Sequence, residues 1–426
     1  MSIKKVVSAV LAISAVLLAP AFGSYLAGSV HALPQIQSPA LPDVSQARSE
    51  SATGTALSGS HLTPAVVYIA GDGHIHEIAL KGTWQDRDLT AAAVAPVAYS
   101  GVIQPMAYRR SDGVSMVIYR GADDHIHSLY LELRRQGNNW QEVWHWANLS
   151  AITGSPTAAS DPYGYIRSDG ISAVVYTGSD GHIHELRLEG GWIGADLTYI
   201  AGAPTASGGR PVAYVRGDGI NAVVYKAAVS GQICELRLDD GWKWTNLSGP
   251  SGAPLPLSDL SAYVRSDGIS TINYAGYDGH IHEIRLETGW ICADLTAISG
   301  APETESRPFG YVRSDGINAI VYATSGADAG RIYELRLGNG WQYYELTSVP
   351  NAVRGYRPVG YVRADGISAV VYLGGSVWHI QDIRLEKDGW QWVDLSYLAG
   401  APAAGSYPWP YNRSVVARIY LPLIVR

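Results

Sequence analysis

The sequence is poor in cysteine, phenylalanine and charge. Only two of the 426 residues are Cys, Cys234 and Cys292, too few for a disulfide scaffold. They fall in neighbouring repeats, so one bridge and two buried free thiols are both open readings. Phe occurs twice, against 27 Tyr and 13 Trp. That bias selects rings with a polar handle, suited to places half buried and half wet. Charged residues make up 16%, below the roughly 25% of an average globular chain. The net charge is −7, which excludes nucleic acid or an anionic membrane surface as the expected partner. Apolar residues make up 47%, enough for a core and too many for general disorder. No stretch reaches the roughly 20 apolar residues a membrane span needs, so no membrane insertion is expected.

What is present begins with an address. Residues 1–32 read as a secretory signal peptide. Lys4 and Lys5 give the positive start, Val6 to Pro20 is apolar, and Val30-His31-Ala32 is a small-residue cleavage site. The expected location is therefore extracellular. Residues 33–63, rich in Ser, Ala, Pro and Gly, read as a flexible linker.

Residues 64–426 are dominated by one repeat. The stretch Ile166 to Thr198 recurs with a Tyr closing an apolar run at Tyr68, Tyr119, Tyr176, Tyr225, Tyr274, Tyr322 and Tyr372. Each unit continues to a Trp (Trp84, Trp140, Trp192, Trp242, Trp290, Trp341, Trp390) and ends on an acid or amide, Leu, and Thr or Ser. Turn chemistry divides the unit into four strands. Pro211 to Arg216 and Ile220 to Tyr225 flank Gly217-Asp218-Gly219. His182 to Leu188 follows Ser179-Asp180-Gly181, and Trp192 to Thr198 follows Gly190-Gly191. Asp-Gly between apolar alternating runs signals a hairpin, and no sustained helical period competes. Four-stranded units of this length in tandem predict propeller blades, with ring closure hiding the sheet edges. The first unit lacks the Tyr-x-Arg strand found at Tyr108, Tyr165, Tyr214, Tyr263, Tyr311 and Tyr361, and a lone copy, Tyr411-Asn412-Arg413, follows the last unit. The expected fold is all-β: a seven-bladed β-propeller of four-stranded antiparallel blades, closed by a C-terminal strand that completes the first blade. Val415 to Tyr420 reads as a surplus second strand competing with Ala65 to Tyr68.

Two columns carry candidate chemistry. His-Ile-His-Glu stands at residues 74–77, 182–185 and 280–283, and nine of the twelve histidines lie in its two His positions. Histidines two apart on a strand share a face. Paired ligation would need a third ligand and supporting shell, and several units replace the pair, so no metal or other cofactor is assigned. Packed, hydrogen-bonded histidines are the simpler reading. Glu185 and its equivalents fall on the opposite face with Arg187. A carboxylate beside an aromatic ring in an inter-blade cleft suits a sugar: the acid accepts from hydroxyls and the ring covers the apolar face. Local Glu–Arg pairs and core-capping Trp are the alternatives. Arg216 is expected to pair with Asp218 across its own turn. No Gly-x-Ser-x-Gly, phosphate-cradling loop or His-Glu-x-x-His motif occurs, so the chain is read as a non-enzyme.

An apolar strand, an Asp-Gly turn, a strand with Ile-x-Glu, then Gly-Trp and a short strand resembles the blades of Aleuria-type fucose-binding lectins. The seven units and Pro211-Val212-Ala213-Tyr214 are similar to seven-bladed bacterial propeller lectins. The resemblance implies carbohydrate-binding residues Glu77, Glu185, Glu235, Glu283, Glu334, Trp84, Trp192, Trp242, Trp290 and Trp341, with glycans or glycoconjugates as partners. The Aleuria-type Arg two residues before the terminal Tyr is replaced here by Val66, Val117, Val174, Val223, Ile272, Ile320 and Val370. The expected function is a secreted, multivalent carbohydrate-binding propeller. A non-catalytic extracellular interaction scaffold is the alternative, a propeller enzyme the third reading, and the oligomeric state is open.

Overall fold

A computed structural model describes residues 62–101 and 103–415. The expected signal peptide, most of the expected linker, residues 416–420 and the C-terminal tail lie outside the described residues. The repeat folds as its turns dictate. In the third unit, Tyr163–Ile166 and Ser172–Thr177 are joined by Ser168-Asp169-Gly170. Asp169 Oδ1 accepts from Ile171 N at 3.1 Å, and Gly170 adopts φ 81°, a left-handed conformation that costs glycine little. Ile183–Leu188 and Trp192–Asp196 complete an antiparallel sheet in chain order.

Seven such four-stranded sheets form. The innermost strand of each packs against those of both neighbours, and Trp409–Arg413 lies between the innermost strands of the second and seventh blades. The ring is thereby closed. Trp409–Arg413 also pairs antiparallel with Thr63–Ile69, which pairs in turn with Ile75–Lys81. The C-terminal strand therefore completes blade one, and Ala65 to Tyr68, not the stretch from Val415, takes the second-strand place.

The recurring side chains explain the recurring sequence. Tyr176 donates to Pro156 O in the preceding connection at 2.8 Å, as Tyr119, Tyr225 and Tyr274 do to Pro96, Pro204 and Pro254. Neighbouring blades are stitched where Ser168 N donates to Asn221 Oδ1 at 2.7 Å and Gly217 N to Ser270 Oγ at 2.9 Å. The Tyr108 ring lies where a Cβ on Gly164 of the next blade would sit, so that glycine sets how closely the two blades approach.

Two expectations need correction. The fourth strand stops at Asp196, and Leu197–Ala201 is a short helix. Asp196 caps it, accepting from Tyr199 N at 2.8 Å, so Asp-Leu-Thr is a helix start rather than a strand end. Thr198 Oγ1 accepts the Ile183 N–H at 2.8 Å, and the same bond recurs in every blade with Thr or Ser. The second correction concerns blade two, whose outer hairpin is lengthened to Ile126–Gln136 and Asn139–Asn148. Trp144, opposite Leu131, holds the register that Trp192 holds opposite Leu188. Trp140 lies further out on the extension. Cys234 and Cys292 are both free thiols. No helix among the described residues is long and apolar enough to cross a membrane.

Candidate functional site

Glu77, Glu185, Glu235, Glu283 and Glu334 are all buried, none more than 1% exposed. Glu77, Glu185, Glu235 and Glu334 are held chiefly by the Tyr-x-Arg strand of their own blade. Tyr165 donates to Glu185 at 3.0 Å, and Arg167 stands 3.3 Å from it. Tyr311 donates to Glu334 at 2.7 Å and Arg313 at 3.1 Å. In blade one the closing strand supplies both partners, Tyr411 and Arg413. The first-strand Arg also pairs with its turn Asp, as Arg216 does with Asp218 at 2.5 Å. Arg413 has no such turn; Glu142, reaching over from the extended hairpin of blade two, accepts from it at 2.9 and 2.6 Å. Burial opposes the Glu142 charge, but Arg413 and Lys81 overcome it and hold the carboxyl down to about 2.

Donors are not evenly supplied. Both oxygens of Glu283 lack a hydrogen-bond donor, as do both of Asp382, its equivalent in blade seven. Arg265 and Arg285 approach Glu283 only to 3.7 Å. Burial, opposed by those arginines, pushes the Glu283 carboxyl up to about 7, and burial against Arg216 and Arg237 does the same for Glu235. Asp382 is raised by burial to about 6.

The Trp column enters these clefts from a different direction than the repeat suggests. Trp192 pairs with Leu188; residues paired across strands share a face, and Leu188 is an odd number of positions from Glu185. Within one blade, Glu and Trp therefore lie on opposite faces. The ring that meets each carboxylate face comes from the following blade. Val175, opposite Glu185, clusters with Leu236 and Trp242. The Arg216 guanidinium lies 5.7 Å from the Trp290 ring centre, that of Arg313 5.5 Å from Trp390, and that of Arg363 5.6 Å from Trp84. The matched sets are Glu185 with Trp242, Glu235 with Trp290, Glu283 with Trp341, Glu334 with Trp390 and Asp382 with Trp84. Trp192 faces blade two, where Ser128 replaces the acid. Trp84 is buried, whereas Trp192, Trp242, Trp290 and Trp341 are partly exposed.

The histidine pairs are hydrogen-bonded. His182 Nδ1 is 2.7 Å from the capping Asp196, and His184 Nε2 is 3.0 Å from Asp180 in the hairpin turn. His184 also stacks on Tyr176. Blade five repeats this with His280–Asp294 and His282–Asp278. In these two blades Asp180, His184 and Asp196, and Asp278, His282 and Asp294, bring three ligand atoms within 4.8 Å of one another. They are the residues among those described that could hold a metal ion, although each is already paired inside the protein.

One site escaped the sequence reading. The residue two before each first strand (in blade seven, before Val359) is Gln104, Asp161, Arg210, Asp259, Arg307, Arg357 or Tyr407, and these seven, with Ile103, surround one cavity. The available signal was a column that varies, mostly just before a Pro, beside columns that repeat.

No protein-family description matches the sequence, and no curated protein is similar to it. Solved structures are similar in fold. A lectin from Burkholderia pseudomallei shares 11% identity at a TM-score of 0.56, with 77% of this chain and 93% of that chain covered. The Aleuria aurantia lectin bound to alpha-methyl-L-fucoside shares 18% at 0.44, covering 72% and 96%. A Bacteroides fragilis protein proposed to be a 6-phosphogluconolactonase shares 12% at 0.48, covering 84% and 99%. At these identities the likeness concerns architecture: the chain is a β-propeller, built on the same fold as the Burkholderia lectin.

Proposed function

We propose that the protein is a secreted, multivalent, non-catalytic carbohydrate-binding propeller whose sites are the inter-blade clefts. The observation that supports this is the set of carboxylate, guanidinium and Trp repeated between successive blades. Trp offers a partly exposed ring for the apolar face of a sugar, and the neighbouring guanidinium donates to its hydroxyls. Arg265 and Arg313, on the first strand, stand beside the Glu column where the second strand carries only Val or Ile. The cleft of Glu283, Arg265, Arg285 and Trp341 is the best candidate, because its carboxylate has unused acceptor capacity and its Trp is partly exposed, whereas Trp84 beside the equally unsatisfied Asp382 is buried. Several weak equivalent sites would act together on a glycan-coated surface.

A glycan array tests the reading. Wild type is expected to bind a restricted set of glycans, and an Arg285→Ala, Trp341→Ala double variant to lose at least part of that signal. Binding to no glycan, or unaltered binding in the variant, overturns it. The burial of all five Glu carboxylates favours a second reading, a scaffold in which the Tyr–Glu–Arg sets serve only to hold the strands; absence of glycan binding would select it.

A further inference from the structure

The channel mouth breaks the symmetry that the clefts keep. Its seven residues, one per blade, comprise three Arg, two Asp, Gln104 and Tyr407 around a cavity of about 30 Å³. Arg357 pairs with Asp259 at 3.0 Å, and Asp161 accepts from Gln104 N at 2.8 Å. Among the described residues Arg210 and Arg307 make no close ion pair, although Asp161 acts on Arg210 and Asp259 on Arg307 at longer range. Both arginines donate at 3.0 Å to one neutral acceptor, Gln104 Oε1. Arg210 is 8% and Arg307 3% exposed, and Arg210 Nη2 and Arg307 Nε are buried without any acceptor. Burying a guanidinium that no carboxylate contacts directly is unfavourable. Burial, with Arg357 and Arg210 nearby and Asp259 opposing, pulls Arg307 down to about 9. Three Arg face two Asp, so the ring has one guanidinium more than it has carboxylates, and the cavity admits about one water-sized group.

A second cavity shares one lining residue with it. About 460 Å³ in volume, it is lined by Tyr356, Leu373, Trp378 and residues 404–407, so Tyr407 borders both spaces. The volume suits a small ligand. The Tyr356 and Trp378 ring centres are 6.2 Å apart, and both rings are over 40% exposed. Trp378 precedes His379 at a position where five blades have Gly in the left-handed region (Gly73, Gly181, Gly231, Gly279 and Gly330), and it keeps that conformation with φ 55°. Arg357 is also left-handed, φ 52°, at a register shift between Tyr356 and Val359. Trp378 lines the larger cavity and Arg357 the smaller, so each space carries one bulky residue in a conformation unfavourable for L side chains, backbone strain of the kind that collects at binding sites.

We propose that this mouth binds a sugar carrying a carboxylate, a uronic acid or its glycoside, with the pyranose ring against Trp378 and Tyr356 and the carboxylate toward Arg307 and Arg210. Guanidinium groups match carboxylates in charge and geometry, and the aromatic pair supplies the stacking surface. The sugar part rests on the carbohydrate-binding reading above; the anion part stands on the arginines alone. The site is on the side of the ring where first strands begin, opposite the hairpin that carries Trp192 and its equivalents, so the two can be tested separately.

Titration of the full chain, followed by tryptophan fluorescence and calorimetry, tests it with glucuronate, glucose and acetate. Glucuronate is expected to bind at least 10-fold more tightly than glucose or acetate. Trp378→Gly, which restores the residue of five other blades, is expected to weaken glucuronate at least 10-fold while leaving glycan-array binding unchanged; Arg307→Gln is expected to remove the preference over glucose. Arg285→Ala, Trp341→Ala should leave glucuronate binding intact, so failure of the cleft reading and of this one are distinguishable. No glucuronate binding overturns the proposal. Equal affinity for glucose overturns the arginine assignment, and wild-type affinity in Trp378→Gly, or for acetate, overturns the aromatic one.

Discussion

Replacing Glu283 by Gln should stabilise the protein in alkaline relative to acid solution. Glu283 is fully buried, and its oxygens receive no hydrogen bond. Its carboxyl moves from an ordinary 4.5 up to about 7, with burial outweighing Arg265 and Arg285. The folded-state value exceeds the unfolded one, so between those pH values the native state holds a proton that the unfolded chain has released. Stability from this group is complete below about pH 4.5 and declines as pH rises toward 7. The interval is about 2.5 units, at roughly 1.36 kcal/mol per unit, or about 3 kcal/mol. Glu283→Gln removes that loss. Denaturant unfolding of wild type and variant at about pH 4 and pH 8 isolates it, because Glu235 and every other group titrate in both proteins. The stability difference, variant minus wild type, should rise by about 3 kcal/mol between the two pH values. A rise below about 1 kcal/mol, or a fall, would show that the carboxylate is ionised and well paired in the native state, and would refute the reasoning.

Three further outcomes follow from single contacts. Thr198→Val leaves the buried Ile183 N–H without its acceptor and should cost about 1–3 kcal/mol in equilibrium denaturation; Thr198→Ser should restore most of it, and a silent Val variant would show that the bond is dispensable. Arg413→Met strips Glu77 and Glu142 of a shared guanidinium that is only 1% exposed and should cost about 3–5 kcal/mol; a loss under about 1 kcal/mol would mean that the closing strand is not anchored there. His280, raised above 6.5 mainly by its hydrogen bond to Asp294, contributes stability that is present below 6.5 and lost as pH rises through its folded value. A side-chain NMR titration should place its midpoint above that of Asp294→Asn protein, and equal midpoints would contradict the pairing.

The strands, the blade count and the closure were legible because each rests on local chemistry repeated seven times. Asp-Gly turns, alternating apolar runs and one displaced Tyr-x-Arg copy act within a few residues of one another or by counting, and Arg216 paired with Asp218 as the spacing implied. Asp196 was misread because N-capping and strand ending use the same residues, and Trp140 because an insertion moved the register to Trp144. The candidate site was less legible. A repeat shows that Glu185 and Trp192 belong to one unit, but pleating turns them to opposite faces, and only packing of blade on blade brings Trp242 to Glu185. The channel mouth was the least legible of all. Gln104, Asp161, Arg210, Asp259, Arg307, Arg357 and Tyr407 are far apart in the chain and are the positions where the units differ, so repeat matching discards them. The sequence by itself determined the unit and its number, since hairpins are short-range; the tertiary structure decided which side chains share a cavity, since ring closure alone carries residues hundreds of positions apart to one axis.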